Sequence, residues 1–184
     1  MPISIDKFIE RYESEFGEMK DNPKAHLKDL LGCMNDDSDL ADPRHAAYML
    51  ATVKHECANT YAPIEEYGKG KGRKYGIPDP HNGQTYFGRG YVQLTWKENY
   101  SNMGRILKID LVAYPELALM PETAYKIMSY GMRNGSFTGS KLSTHINGNK
   151  CDYVGARRII NGQDCAEKIA GYAHKFETIL MEAK

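Results

Sequence analysis

The stretch that decides the fold is YFGRGYVQLTWKENY, residues 86–100. Its first half, with Thr85 before it, and the run YVQLT are rich in aromatic and β-branched residues, which favours two short strands. From Trp96 the apolar spacing becomes helical and predicts a helix to Leu107. We therefore expect a small β-hairpin that leads directly into a helix.

The segment before this stretch has little apolar periodicity. Residues 67–90, YGKGKGRKYGIPDPHNGQTYFGRG, contain seven glycines, two prolines and an Asn-Gly pair, which predicts a long loop or a small hairpin. Long loops inside compact domains are usually functional. The basic residues suggest phosphate binding, but the order G-x-x-x-x-G-K-[ST] is absent, so we do not predict a nucleotide site.

Helical spacing of apolar residues dominates the rest of the chain. Asp42 is a good N-cap and Pro43 suits the first position of a helix that runs to about Cys57. The other predicted helices cover residues 4–18, 23–34, 121–132, 152–162 and 164–183. The sequence therefore predicts a mostly α fold with one small β element, in a single domain over residues 1–184 without a linker.

The composition is that of an ordinary soluble globular protein, with 41% hydrophobic and 26% charged residues. No window approaches the roughly 18 apolar residues of a membrane span, so we expect no membrane insertion. The N-terminus is acidic and amphipathic and lacks the features of a signal peptide. Four cysteines show neither a C-x-x-C pair nor a zinc-site spacing, so we expect reduced thiols in a cytoplasmic chain, and no metal.

Charge is distributed unevenly along the chain. Residues 1–66 hold 7 Lys and Arg against 14 Asp and Glu, whereas residues 67–184 hold 17 against 10. The basic part suggests an anionic partner or surface. Charge complementarity between two lobes of the chain explains the same pattern, and no motif indicates nucleic acid.

Candidate chemistry begins at His55-Glu56. The residue four after His55 is Asn59, so the zinc-protease pattern H-E-x-x-H fails. Cys57 lies close to His55, but residues this close on a helix do not face each other as a catalytic pair, and Cys57 fits a small core residue better. No G-x-S-x-G elbow supports a serine hydrolase.

Paired carboxylates suit cleavage of a glycosidic bond. One carboxyl group, held neutral in an apolar setting, protonates the leaving oxygen, and the other activates water or attacks the sugar. Glu56 follows Val53 by three positions, at the edge of the buried helix face, and fits the acid. Glu65 or Glu66, beside the basic Gly-rich loop, fits the ionised partner, although such glutamates are most often simply solvated.

Residues 86–100 resemble the Y-[FY]-G-R-G-x-x-Q-L-[ST]-x-x-x-N-Y signature of glycoside hydrolase family 19, which contains chitinases and many phage endolysins. Upstream, His55-Glu56 resembles the family's helix-end H-E-T/S-G-G. Downstream, RRIING and KIAGYAHKFETIL resemble its I-I-N-G block and closing helix. The three blocks stand in the family's order over about residues 55–180. Ala58-Asn59 departs from the family's Gly-Gly pair, and Lys168 stands near a position where the family often carries an arginine.

The resemblance implies a lysozyme-like, two-lobed α domain with a central cleft. It implies inverting hydrolysis of a β-1,4 bond, with Glu56 as general acid, and requires no cofactor. Counting five residues from Tyr61 reaches Glu66 as the general base, with Glu65 as the fallback. For an inverting enzyme we expect the two carboxyl groups to be about 6.5–9.5 Å apart.

The resemblance also implies substrate-binding positions. Gln93, Thr95, Asn99 and Asn161 fall on sugar-binding or water-positioning positions of the family, where amide and hydroxyl groups suit sugar hydroxyls. The aromatic residues Tyr86 and Tyr91 could stack on sugar faces, although buried aromatics are the more usual interpretation. The alternative for Gln93 and Asn99 is that they tie loops together.

Peptidoglycan is the favoured substrate, because a compact chain without a visible signal peptide is typical of an endolysin and its basic part suits the anionic cell wall. We expect a monomer that waits in the host cytoplasm, reaches the periplasm and cell wall through a holin-opened membrane, and lyses the host. A chitinase acting on chitin oligomers is the first alternative. A non-catalytic cell-wall-binding relative and a lytic transglycosylase with a single acid are further alternatives.

Overall fold

The computed structural model describes residues 2–184 and is mostly helical, which confirms the predicted fold class. The α-helices are α1 Ile5–Phe16, α2 Asp21–Asp36, α3 Pro43–Glu56, α4 Lys97–Leu107, α5 Pro121–Asn134, α6 Leu142–His145 and α7 Ala166–Glu182. Short strands are β1 Ile64–Glu65, β2 Arg89–Gly90, β3 Ile146–Asn147 and β4 Lys150–Cys151. Three turns of 3₁₀-helix cover Lys74–Gly76, Pro115–Leu119 and Gly155–Ile159. No helix among the described residues combines the length and apolarity needed to cross a membrane.

The chain divides into two compact units. The first unit contains the residues up to Tyr61 and Ser129–Lys184, and the second is Ala62–Met128. The prediction of one domain over residues 1–184 stays a prediction.

The first unit is built around α3. Every residue from Ala46 to Lys54 is buried, and α3 packs against α7. A helix that is apolar nearly all round is stable only inside a core. Its start follows the prediction, because the Asp42 side chain accepts a hydrogen bond of 2.9 Å from the Arg44 N–H, and Pro43 occupies the first turn. The core thus fixes the direction and the end of α3.

The second unit contains the signature stretch, and its strand pairing differs from the prediction. β2 pairs antiparallel with β1, with Ile64 opposite Gly90 and Glu65 opposite Arg89. The run YVQLT forms only an isolated bridge, between Leu94 and Arg89. The reason is local, because Gln93 has a positive φ of 54° and cannot continue an extended strand.

Two further differences lie in the first unit. The predicted helix over residues 152–162 is reduced to the 3₁₀ turn Gly155–Ile159. The β3–β4 pair, with Ile146 opposite Cys151, was not predicted. Strands of two residues are too short to show alternation, and only the Asn-Gly pair at 147–148 marks the turn.

At Gly90 the signature packs closely against another segment of the second unit. Its φ is +87°, and a Cβ atom there would lie 2.9 Å from the Ala118 carbonyl oxygen. Gly83 has a φ of +72° but open space around a Cβ. We expect Gly83→Ala to lower the free energy of unfolding by about 1 kcal/mol and Gly90→Ala by about 2–4 kcal/mol. Urea denaturation measures both, and equal losses would show that the close approach to Ala118 is unimportant.

Candidate active site

Glu56 is the last residue of α3, in the first unit. Its carboxylate Oε1 lies 2.6 Å from Nη1 of Arg157, and the exposed fractions of the two side chains are 21% and 3%. Beyond Glu56 the helix cannot continue, because Ala58 and Asn59 adopt positive φ values of 48° and 63°. The helix therefore ends with the partly exposed carboxylate of Glu56.

Arg157 is fixed independently of Glu56. It lies in the 3₁₀ turn Gly155–Ile159 and is buried. Its Nε donates to the Asp164 carbonyl oxygen over 2.9 Å, and its Nη1 donates to Glu56. Because the guanidinium is anchored at a second point, it holds the carboxylate in one orientation.

This ion pair corrects the expectation of an apolar setting for Glu56. The expected partial desolvation is present, but the main neighbour is a cation. Sequence reasoning missed Arg157 because the two arginines of RRIING look alike, and their difference is tertiary. Arg157 is buried, whereas Arg158 is exposed.

Glu66 follows β1 in the second unit and is held by neutral donors. The Tyr75 hydroxyl donates to Oε1 over 2.8 Å, and the Gly88 N–H donates to Oε2 over 3.1 Å. The bond to Glu66 raises the pKa of the Tyr75 hydroxyl, so this phenol stays a donor. The backbone N–H of Glu66 also donates to the Gly88 carbonyl oxygen over 2.7 Å. The carboxylate is thus oriented without a counter-ion.

Glu65 has a different environment. It lies in β1 opposite Arg89, and its Oε2 forms an ion pair of 2.7 Å with Lys69. Its side chain is 35% exposed. Successive residues in extended chain point to opposite faces, so Glu65 and Glu66 cannot serve one substrate position equally. The roles of general base and fallback stay predictions for these two residues.

The polar residues of the signature tie their own segment together. The Gln93 Nε2 donates to the carbonyl oxygens of Ile64 and Gly90 over 3.1 and 3.2 Å. The Thr95 hydroxyl donates to the Gln93 carbonyl over 2.8 Å. The exposed Asn99 donates its Nδ2 to the Thr95 carbonyl over 2.8 Å. The loop-tying alternative therefore describes contacts that these residues make.

Tyr86 and Tyr91 are core residues, with exposed fractions of 4% and 1%. The Tyr86 hydroxyl donates to the Val112 carbonyl over 3.0 Å and accepts from Asn82 over 2.9 Å. The buried-aromatic interpretation therefore replaces the expectation that Tyr86 stacks on a sugar. Both rings are therefore part of the buried core beneath the surface of the signature segment.

Trp96 is an exposed aromatic residue that sequence reasoning did not single out. It is 45% exposed, and its ring meets that of Tyr75 edge to face at 5.1 Å. Its backbone has a positive φ of 76°, which is uncommon for a bulky residue and often marks function. Tyr75 contacts both the Glu66 carboxylate and the Trp96 ring, so Trp96 presents an exposed aromatic surface beside the residue that orients Glu66. The signal in the sequence was an aromatic residue inside the signature.

Two other predicted positions lie in the first unit. Asn161 is exposed, and its Oδ1 accepts only from the Gly162 N–H, over 2.8 Å. Cys57 is buried, and burial raises the pKa of its thiol to about 12. This confirms that Cys57 is a core residue and not a nucleophile.

The family model for chitinase class I matches residues 38–152. The chain belongs to glycoside hydrolase family 19. The matched segment, more than half of the chain, includes Glu56, both candidate bases and the signature. Arg157 and Asn161 lie beyond it.

Known relatives agree with this assignment. One endochitinase of Arabidopsis thaliana is 34% identical over 85 residues, which cover 45% of this chain and 30% of the relative. A second is 30% identical over 116 residues, which cover 59% of this chain and 41% of the relative. The chain thus matches less than half of the length of these relatives.

Solved structures share the fold. Chitinase C from Streptomyces griseus superposes with a TM-score of 0.64 at 24% identity, over 94% of this chain and 76% of that one. A bacterial family 19 chitinase gives a TM-score of 0.63 at 24% identity, over 97% of this chain and 94% of that one.

The energetic contribution of the Glu56–Arg157 ion pair can be tested by measuring the free energy of unfolding of variants. Arg157→Met leaves a partly buried carboxylate without its partner, so we expect the free energy of unfolding to fall by about 2–4 kcal/mol. Combining it with Glu56→Gln should reveal a coupling of about 1–3 kcal/mol in a double-mutant cycle. The matched control is Arg158→Met, at the exposed neighbour, with an effect within about 0.5 kcal/mol. Strict additivity of Glu56→Gln and Arg157→Met would contradict a coupled pair.

Proposed function

We propose that this chain is an endolysin that hydrolyses β-1,4 glycosidic bonds of bacterial peptidoglycan by an inverting mechanism. The observation that carries the reaction type is the pair of carboxylates at family positions, each held in one orientation by its own unit. Glu56 donates a proton to the leaving oxygen, and Glu66 takes a proton from the attacking water. The products are two shorter glycans, with one water consumed.

The contacts of the glutamates support this division of roles. Glu66 accepts two hydrogen bonds from neutral donors, which suits a carboxylate that must remain free to accept a proton from water. Glu65 is engaged with Lys69 and suits the base role less well. Glu56 is the partly buried carboxyl group at a helix end, as the acid position requires.

Arg157 adds a step to this reaction. An acid must carry its proton when the bond breaks, yet the Arg157 guanidinium lies 2.6 Å from Glu56. We infer that the contact lengthens in the reacting complex and re-forms once Glu56 has given up its proton. Arg157 then stabilises the carboxylate product and returns the side chain to its starting orientation.

The basic loop favours peptidoglycan over chitin. Lys69, Lys71, Arg73 and Lys74 lie within six residues, directly after Glu66 in sequence, and all are exposed. Of these four cations, only Lys69 forms an ion pair with a described residue, which is Glu65. Unpaired surface cations attract an anionic polymer, and peptidoglycan carries carboxylates whereas chitin is neutral. The second unit as a whole holds 9 Lys and Arg against 7 Asp and Glu, so the positive charge is local to this loop.

Trp96 and Asn99 supply sugar contacts in this proposal. An exposed indole stacks well on a pyranose face, and the Asn99 amide reaches hydroxyl or acetamido groups. Both residues lie in the same unit as Glu66.

The proposed location follows from the same function. An endolysin accumulates in the host cytoplasm and meets its substrate only after a holin opens the membrane.

The roles of the three glutamates predict an order of activities. Glu56→Gln and Glu66→Gln should each lower kcat by about 10² to 10⁴-fold, because a positioned acid or base contributes that much. Glu65→Gln is the matched control and should keep activity within about threefold, since it removes only an exposed ion pair. Turbidity of purified cell walls measures the rates, and circular dichroism checks the fold. A reversed order for Glu65 and Glu66 would transfer the base role to Glu65.

The substrate is tested by digesting purified peptidoglycan and, separately, chitin oligomers, with product masses read by mass spectrometry. We expect faster release from peptidoglycan, with reducing ends. Faster release from chitin would favour the chitinase alternative. Anhydro ends, lighter by one water, would indicate a transglycosylase, and binding without products would indicate a wall-binding relative.

A further inference from the structure

Lys54 is a buried cation that the proposed reaction does not use. It lies in the last turn of α3 and is 7% exposed. Its Nζ donates to the Tyr12 hydroxyl over 2.7 Å, and Tyr61 donates to the same oxygen over 2.9 Å. No carboxylate of the described residues forms an ion pair with Lys54. A buried ammonium without a counter-ion is costly, so its retention calls for a reason.

Aromatic rings surround this ammonium. Its Nζ lies 5.0 Å from the ring centre of Tyr12, 4.3 Å from Phe16, 5.8 Å from Tyr61 and 5.3 Å from Tyr172. Ring faces attract a cation electrostatically, but they replace the solvation of a buried charge only in part. Burial, with a smaller effect of Lys175, lowers the pKa of Lys54 to about 8. The cage thus compensates the cost of the buried charge only in part.

A pocket of about 290 Å³ opens onto this cage, within the first unit. Its lining includes Lys54 itself and two of the cage rings, Tyr12 and Phe16. Met19 and Pro23 add apolar surface. A small organic molecule therefore has room beside the buried ammonium.

The charges around the pocket are mixed. Glu18 and Lys20 line it at the chain segment after α1. From α7, Lys175 also acts electrostatically on Lys54, and it is paired with Glu15 over 2.8 Å. The lining therefore supplies one acidic and two basic side chains, and the buried Lys54 forms no ion pair with a described carboxylate.

We propose that this pocket binds the carboxylate end of a small ligand with a short apolar body, with Lys54 as the counter-ion. The apolar body would lie against Phe16, Met19 and Pro23. Two sources share this chemistry, a free organic acid and the carboxyl terminus of a wall peptide. The second source deepens the proposed function and rests on it, since chitin has no such group. In that case the site would add a peptide contact on the same unit and near the same end of α3 as Glu56.

The proposal sets the pH dependence of binding. A carboxylate pairs only with the protonated amine, and in the free protein that form is lost as pH rises through about 8. Affinity should therefore be full below pH 8 and should fall above it. Other groups that face Lys54 are the hydroxyls of Tyr12, Tyr61 and Tyr172 and the charged side chains Glu18, Lys20 and Lys175. Burial raises the pKa of Tyr12, so this hydroxyl does not titrate in the same range.

Binding is tested with Glu56→Gln protein, in which turnover is silenced. The probes are benzoate, N-acetyl-D-alanyl-D-alanine and the C-terminal amide of that dipeptide, titrated at pH 7 and pH 9.5 by calorimetry. We expect at least one carboxylate to bind at least tenfold more tightly than the amide, and more weakly at pH 9.5. Preference for the dipeptide identifies a wall peptide, and preference for benzoate identifies a free organic acid. Equal binding of dipeptide and amide, with no binding of benzoate, or the absence of all binding, would overturn the proposal.

Variants complete the test. Lys54→Met should abolish carboxylate binding and raise Tm, because it removes a buried charge that is compensated only in part. Lys7→Met, at an exposed lysine of α1, is the matched control and should change neither. In otherwise wild-type protein, Lys54→Met should slow digestion of peptide-bearing walls but not of amidase-stripped glycan strands, if the wall peptide is the ligand. A lower Tm with unchanged carboxylate binding would make Lys54 a structural residue.

Discussion

The structure of the candidate site depends on the ion pair at the end of α3. Glu56 is the last residue of a helix that is buried from Ala46 to Lys54, and Arg157 is anchored by the Asp164 carbonyl as well as by that carboxylate. The α3–α7 packing therefore sets the position of Glu56, while Arg157 sets its orientation. In the proposed reaction, an acid oriented in this way needs little ordering when substrate binds, and its contact with Arg157 lengthens when it carries the proton.

In the second unit, the Glu66 carboxylate is oriented without a counter-ion. A phenol and a backbone N–H hold Glu66, and both donors come from the Gly-rich segment and the signature. Gly88 allows the Gln93 side chain to approach the backbone closely, because a Cβ atom at position 88 would lie 2.8 Å from the Gln93 Oε1. The positive φ values of Gln93 and Trp96 shape the rest of the segment. The family signature is thus largely a backbone requirement, and its amide residues stabilise that backbone.

Much of the fold was accessible from sequence because helical periodicity and capping are local. The first five predicted helices and the last one occur with bounds within a few residues of the expected ones, and Asp42 caps α3 as its pattern indicates. The pairing of β1 with β2 was missed because strands of two residues carry no alternation. The candidate acid and bases came from chemistry and from the family resemblance. Arg157 and Lys54 did not, because their importance lies in burial and in partners distant along the chain, which spacing does not encode.

The anomeric configuration of the first product tests the two-carboxylate mechanism most directly. Hydrolysis of a β-1,4-linked oligomer, followed from the first minute by ¹H NMR, distinguishes the routes before mutarotation mixes the anomers. A water activated by Glu66 while Glu56 protonates the leaving oxygen gives the α-anomer first. The β-anomer as the initial product, or a 1,6-anhydro sugar in place of a reducing end, would contradict the account.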